Sequence, residues 1–127
     1  MTRVLADTSV WVAHFRAANP LLLALIESDH LLCHPWVVLE IACGTPPAPR
    51  RRTLDDLKRL RQSVLATPDE VLALIERRQH HDCGCGAVDM AMLASVALTP
   101  NAQLWTVDKN LAALAAKLGV AFVPARH

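Results

Sequence analysis

The chain has 127 residues, which suits a single domain with a core of its own. It is 53% hydrophobic, but no apolar run reaches the ~18 uncharged residues that a membrane span requires, so we expect a soluble protein. Thirteen basic and twelve acidic side chains give a net charge of +1, which excludes a generally basic nucleic-acid coat but allows a local basic patch. The first residues have no signal-peptide pattern, and we expect a cytoplasmic protein whose four cysteines are free thiols.

Short apolar runs that suit buried strands alternate along the chain with amphipathic stretches that suit helices. Thr8 or Ser9 can cap the first helix, and Thr67 with Glu70 predicts a capping box. Strands are predicted at residues 3–6, 31–34, 64–66, 104–107 and 120–123. Helices are predicted at residues 8–17, 20–28, 35–43, 54–60, 68–78, 87–98 and 111–118. This alternation predicts an α/β sandwich with a mainly parallel sheet in one domain, residues 1–127.

Three carboxylates stand alone in otherwise apolar stretches: Asp7, Glu40 and Asp89. A buried, unpaired carboxylate is costly, so such a group must be paired, protonated or bound to a metal. Asp108 directly follows the strand predicted at 104–107 and is a fourth candidate. Each has a plain structural alternative, as a helix cap, a solvent-facing side chain or a partner of a helix dipole.

Two of these acids, Asp7 and Asp108, follow predicted strands, and in a parallel sheet both would emerge at the same edge. Asp89 lies near a helix start that can face this edge, and Glu40 is long enough to reach inward from the middle of a helix. Four converging carboxylates would repel one another unless hard cations such as Mg²⁺ or Mn²⁺ lay between them. Such ions activate water and neutralise a phosphodiester.

Taken in order, these motifs resemble those of PIN-domain ribonucleases, and among them the VapC-type toxins of bacterial toxin–antitoxin pairs. The resemblance covers nearly the whole chain. It is carried by Leu5-Ala6-Asp7-Thr8-Ser9, Glu40, Gly84-Cys85-Gly86-Ala87-Val88-Asp89, Leu93-Ala94-Ser95 and Leu104-Trp105-Thr106-Val107-Asp108-Lys109-Asn110-Leu111.

The resemblance implies a three-layer α/β/α sandwich and a Mg²⁺- or Mn²⁺-dependent endoribonuclease. The acids that match the family's catalytic and metal-binding residues are Asp7, Glu40, Asp89 and Asp108. The hydroxyls that match groups positioning an acid or a water are Thr8, Ser9 and Thr106. The resemblance also implies a homodimer that is held inactive by a cognate antitoxin.

A basic segment follows the third predicted helix and combines six cations with two acids. Its cations are Arg50, Arg51, Arg52, Lys58, Arg59 and Arg61. This composition fits an RNA-backbone patch and equally a solvated helix face. A nuclease with a negatively charged pocket needs cations nearby to attract a polyanion, and this favours contact with RNA.

The loop before Asp89 departs from the family pattern, because relatives more often carry basic and aliphatic residues there. Its zinc-ligand types are His80, His81, Cys83 and Cys85. Their spacing is not that of a standard structural zinc site, so exposed histidines on a flexible glycine loop are expected instead. Cys33 and Cys43 are expected in the core.

The leading hypothesis is therefore an RNA phosphodiesterase toxin. The alternative is a catalytically silent PIN-like module that binds RNA or protein, and the presence of all four acids argues against it. A phosphatase with Asp7 as nucleophile would want a second Asp two residues later, where Ser9 stands. A DNA nuclease stays open, because acids and a metal do not distinguish sugars.

Overall fold

In a computed structural model, which describes residues 2–124, the chain forms four strands and seven helices. The strands are β1 (Arg3–Ala6), β2 (Leu31–Cys33), β3 (Arg61–Gln62) and β4 (Ala102–Trp105). The helices are α1 (Thr8–Arg16), α2 (Pro20–Glu27), α3 (Pro35–Cys43), α4 (Arg50–Arg59), α5 (Pro68–Arg78), α6 (Ala87–Leu98) and α7 (Lys109–Lys117).

The sheet is parallel, with strand order β3-β2-β1-β4. The chain moves outward from β1 to β2 and β3, then returns across the sheet to β4. Because such crossovers are right-handed, α1 to α4 cover one face, and α5 and α6 cover the other. Consistent with this, α1, α3 and α4 pack together, while α6 packs on α5 and α7. The fold is the predicted three-layer α/β/α sandwich, and the strand order reverses between β1 and β4.

The sheet is apolar because it is covered on both faces, as all-parallel sheets are. Leu5 and Leu32 are fully buried, and Leu104 is 1% exposed. Burial of one such leucine stabilises the fold by about 1.5–3 kcal/mol. A carboxylate at the end of such a strand therefore lies where the apolar core gives way to the sheet edge.

The helix signals in the sequence are confirmed at most positions. Thr67 accepts a hydrogen bond from the Glu70 N–H (3.2 Å) and Glu70 accepts one from the Thr67 N–H (2.9 Å), which completes the predicted capping box. Asn19 caps α2 and Gly44 ends α3. The first helix differs, because its cap is the Asp7 side chain and not Thr8 or Ser9.

Three strand predictions need correction. The strand expected at 64–66 is wrong: β3 is Arg61–Gln62, and the amides of Val64 and Ala66 donate to the side chains of Thr99, the C-cap of α6, and Ser95. The strand expected at 104–107 lies two residues earlier, because its register is set by pairing with β1. The strand expected at 120–123 is reduced to one bridge between Leu104 and Ala121.

Within residues 2–124, no single helix is long and apolar enough to cross a membrane. One bent pair, α1 with α2, passes the same test on length and composition alone, with an angle of 114° between them.

Candidate active site

The reversal of strand order between β1 and β4 creates a crevice at the carboxyl ends of these strands, where open α/β sheets bind ligands. Asp7 follows β1 at this crevice and is only 6% exposed. Its Oδ1 accepts hydrogen bonds from the Val10 N–H (3.2 Å) and from the Ser9 hydroxyl. Burial raises the pKa of this carboxyl, and hydrogen bonds, led by that of Ser9, oppose the rise. Asp7 is therefore held rigidly at the crevice.

The Ser9 hydroxyl joins the two strands across the crevice. It donates to Asp7 and accepts from the Val107 N–H at 3.1 Å. Thr106 directly follows Trp105, which pairs with Ala6, and its Oγ1 lies 3.4 Å from the Ser9 Oγ. The predicted hydroxyls Ser9 and Thr106 thus lie beside Asp7, where they fix the chain segments that carry the acids.

The fourth acid, Asp108, stands three residues beyond the end of β4 and caps α7. Its Oδ1 accepts from the Leu111 N–H at 3.0 Å, while its own N–H donates to Thr106 Oγ1 at 3.0 Å. The structural alternative considered for Asp108, a helix cap, is therefore present in the protein. A capping role and a place at the crevice are compatible, because only one carboxylate oxygen is used by the cap.

Glu40 reaches the crevice from the middle of α3, and its own carboxylate is exposed. Its Oε1 accepts a 2.6 Å hydrogen bond from the Thr8 hydroxyl at the first turn of α1. The third predicted hydroxyl, Thr8, thus ties Glu40 to the residue that follows Asp7.

Asp89 lies in the first turn of α6, which approaches the crevice from the opposite face of the sheet. Its pKa is raised, first by burial and then by the negative charges of Asp108, Asp7 and Glu40, against a backbone hydrogen bond from Gly86. The other three predicted acids are therefore close enough to raise the pKa of the Asp89 carboxyl group.

Within residues 2–124, no three His, Cys, Asp or Glu side chains have the spacing that coordinates one metal ion. The other three carboxylates are near enough to affect the pKa of Asp89, but the four are not at distances that would coordinate one ion. Their chemistry nevertheless fits a hard divalent cation, because all the donors are oxygens and a dication would cancel their mutual repulsion. The residues that would hold such an ion are Asp7, Glu40, Asp89 and Asp108.

A cavity of about 540 Å³ opens beside Glu40, between α1, the end of α3 and the segment that follows it. Phe15, Pro46 and Pro47 supply apolar walls, and the exposed Arg16 lies at the same cavity. Sequence reasoning missed Arg16, because its single signal is a cation nine residues after Asp7 in the same helix. Arg16 is therefore an exposed cation at the same cavity as Glu40.

The basic segment divides into two groups. Arg50 donates to the carbonyls of Ala42 and Gly44 and so closes the end of α3. Arg61 pairs with Asp29 at the amino ends of the strands, on the sheet edge opposite the crevice. Besides Arg50, the exposed cations on α4 are Arg51, Arg52, Lys58 and Arg59, of which Arg59 lies 3.6 Å from Asp56. The structure therefore brings Arg61 nowhere near the four acids.

The glycine loop at residues 80–86 packs on the start of α7. Gly84 has a φ of +80°, and a Cβ there would lie 2.5 Å from the Asn110 side chain. Burial and the charges of Asp89 and Asp108 raise the pKa of the Cys85 thiol to about 11, so this sulfur is protonated at neutral pH. In the described part of the chain no zinc-binding group forms.

Two expectations for single side chains are corrected. His80 is buried, whereas an exposed histidine was expected. Cys43 is exposed and only Cys33 lies in the core, although all four cysteines are free thiols as predicted.

Comparison with known proteins gives three findings. The PIN domain family model matches residues 4–117. Over 118 residues the chain is 48% identical to Ribonuclease VapC32 in two strains of Mycobacterium tuberculosis, covering 93% of this chain and 94% of each relative. The crystal structure of PAE2754 from Pyrobaculum aerophilum has a TM-score of 0.57 at 19% identity, covering 93% of this chain and 90% of that chain. At that identity the likeness concerns the fold.

Proposed function

This chain is a VapC-type member of the PIN-domain family, and on that basis we propose that it is a divalent-metal-dependent endoribonuclease, the toxin of a toxin–antitoxin pair in the cytoplasm. The observation that carries the proposal is the environment of Asp89, whose pKa is raised by burial and then by the negative charges of Asp108, Asp7 and Glu40. Such a convergence of negative charge destabilises the metal-free protein. It is best explained by a cation that binds between the acids during catalysis.

Neighbouring side chains and backbone amides hold the acids of this site in place. Ser9 and the Val10 amide hold Asp7, and Thr8 holds Glu40. Asp108 is fixed as the cap of α7. A bound Mg²⁺ or Mn²⁺ ion would activate a water molecule and neutralise the scissile phosphodiester. The protein supplies the carboxylate oxygens at the crevice, and its exposed cations attract the RNA backbone towards them.

Cleavage of a mixed RNA pool by the purified chain tests this proposal. We expect cleavage with Mg²⁺ or Mn²⁺ and none with EDTA, because the carboxylates alone repel a polyanion. Excess metal added after EDTA should restore the activity. A matched pool of single-stranded DNA separates a ribonuclease from a nuclease that accepts either sugar.

The second candidate is a PIN-like module that binds RNA or protein without cutting. What favours it is that the carboxylates are not at coordinating distances in the described residues. A folded chain that binds RNA but leaves every RNA intact in Mn²⁺ would overturn the proposed cleavage in favour of this alternative.

We propose that RNA reaches the crevice along the exposed cations of α4 and Arg16. The variant Arg51→Gln/Arg52→Gln, made in an Asp89→Asn background to prevent cleavage, should bind RNA more weakly. Each lost phosphate contact should reduce the slope of log K against log salt concentration by ~0.7, the value for single strands. Fluorescence anisotropy at several salt concentrations measures this slope.

Arg61→Gln is the matched control for these arginines, because Arg61 is paired with Asp29 at the opposite edge of the sheet. It should leave the salt slope unchanged. An equal loss of RNA affinity in both variants would mean that RNA binds no more to the α4 cations than to Arg61, and the proposed path would be wrong.

We propose that the chain forms a homodimer through apolar side chains that follow neighbouring strands. Trp36 and Leu39 on α3 are 48% and 51% exposed, and Leu65 and Leu72 beyond β3 are 51% and 56% exposed. Leu65→Glu should convert a dimer into a 13.9 kDa monomer in light scattering after gel filtration. Leu23→Glu, also at an exposed apolar position (44%) but on α2, should leave the dimer intact.

The cognate antitoxin is proposed to occupy a groove between α1, α2 and α4. This groove has a volume of about 410 Å³, and its apolar lining includes Trp11, Phe15, Ile26 and Leu57. An amphipathic segment of a partner protein fits a groove of this kind.

A further inference from the structure

His34 is a buried histidine that links the start of one site helix to the middle of another. It is 3% exposed and caps α3, because its Nδ1 accepts a 3.1 Å hydrogen bond from the Trp36 N–H. Its Nε2 lies 3.1 Å from the hydroxyl of Ser95, a fully buried residue of α6.

These contacts fix the protonation of the ring. Since Nδ1 accepts, the single ring proton lies on Nε2 and is donated to Ser95 Oγ. The same oxygen also accepts from the Ala66 N–H at 3.1 Å. Burial lowers the pKa of His34, which keeps the ring neutral near pH 7. The hydrogen-bonded arrangement is thus the stable one under working conditions.

The two helices joined by this contact carry two of the four acids. Glu40 follows His34 by six residues on α3, and Asp89 precedes Ser95 by six residues on α6. Apart from the His34–Ser95 contact, the two helices have different neighbours. Helix α3 packs mainly on α1 and α4, whereas α6 packs mainly on α5, β4 and α7. The helices lie on opposite faces of the sheet, and the His34–Ser95 hydrogen bond is a direct side-chain link between them.

We propose that His34 is a positioning residue for the metal site: through Ser95 it sets the position of α3 relative to α6, and so the separation of Glu40 and Asp89. This proposal rests on the proposed metal-dependent function. Rigid helices transmit the constraint over about 9 Å on each side, the length of six helical residues. Groups that orient metal ligands typically change metal affinity by about 10- to 100-fold when they are removed.

The test is the affinity for Mn²⁺, measured by isothermal titration calorimetry on the full chain. Ser95→Ala removes the contact and leaves the cap of α3. His34→Asn keeps an acceptor for the Trp36 N–H, because Asn is a favoured cap, but is too short to reach Ser95. We expect each variant to bind Mn²⁺ about tenfold more weakly, and the double variant to be no weaker than either, as members of one contact are non-additive.

Thr99→Val is the control for a merely structural effect. It removes the hydrogen bond from the Val64 N–H (2.9 Å) and the one that the Thr99 hydroxyl donates to the Ser95 carbonyl oxygen (2.7 Å), while the Ser95 hydroxyl keeps its contact with His34. It should lower the melting temperature and leave Mn²⁺ affinity unchanged. Wild-type affinity in Ser95→Ala would overturn the positioning role and leave the proposed function standing. A wild-type chain that binds no Mn²⁺ would overturn both.

Discussion

Asp7→Asn and Asp89→Asn are each expected to reduce RNA cleavage by roughly a thousandfold, about 4 kcal/mol of transition-state stabilisation. The amide is the same size as the carboxylate but carries no charge for a divalent ion. In Asp7→Asn, the side-chain oxygen can still accept from the Val10 N–H, so α1 keeps its cap. The loss of activity should therefore not come from a loss of structure.

The same substitutions should raise the melting temperature of the metal-free protein. The pKa of Asp7 and that of Asp89 are both raised, which means that the folded protein disfavours their charged forms even after their hydrogen bonds are counted. A neutral amide removes this penalty. Function and stability are thus opposed at this crevice, as is common where a site must hold like charges together.

Cleavage rates in Mg²⁺ and melting curves in EDTA measure the two effects on the same preparations. Glu76→Gln is the control, because Glu76 is an exposed acid on α5, away from both the crevice and the cations of α4. It should change neither quantity appreciably. If Asp89→Asn melted lower and still cleaved RNA, the four-carboxylate site would be misplaced and another set of residues would have to be sought.

Local signals in the sequence were sufficient for most helices, but α1 is capped by Asp7 and α4 begins at Arg50, four residues before the predicted start. The Thr67 and Glu70 pair fixed the start of α5, and Pro35 with Gly44 fixed both ends of α3, because capping depends on residues within one turn. Asp7, Glu40 and Asp89 were predicted as site residues from local sequence too, because an isolated charge in an apolar stretch must be paired, protonated or bound to a metal.

Strand register was not accessible in this way, because it depends on distant partners. The apolar run 104–107 suggested a strand, but pairing of Ala6 with Trp105 ends β4 before Thr106. Val64 and Ala66 were expected in a strand, yet their amides are satisfied by Thr99 and Ser95 on α6. The His34–Ser95 contact joins residues 61 positions apart, and no local sequence pattern predicts it.

The pH dependence of stability provides the second large test. A carboxyl whose pKa is raised by folding binds more protons in the folded state than in the unfolded state, above its ordinary pKa of about 3.9. Stability from Asp7 and Asp89 is therefore greatest at low pH and falls as pH rises through their raised pKa values. The empty protein should lose this contribution by neutral pH.

Histidines act in the opposite direction and must be separated from this effect. Burial lowers the pKa of His14, His34 and His80, so the unfolded chain binds more protons than the folded one below about pH 6.5. Their contribution makes stability rise with pH. It cancels when wild type is compared with Asp7→Asn/Asp89→Asn, so the stability difference between these two chains isolates the carboxylates. That difference should favour the variant increasingly from pH 4 to pH 7.

Mn²⁺ should reverse this difference at neutral pH. Free metal at 100 times its Kd stabilises a folded protein by about 2.7 kcal/mol, which for a domain of this size raises Tm by roughly 10 °C. The double variant lacks two of the four proposed ligand carboxylates and should gain little. Urea unfolding at pH 7, with and without Mn²⁺, measures both chains on one scale. Equal stabilisation of the two chains would place the bound ion elsewhere, whereas stabilisation of wild type alone would mean that the repulsion between these acids is relieved by the cation that binds there.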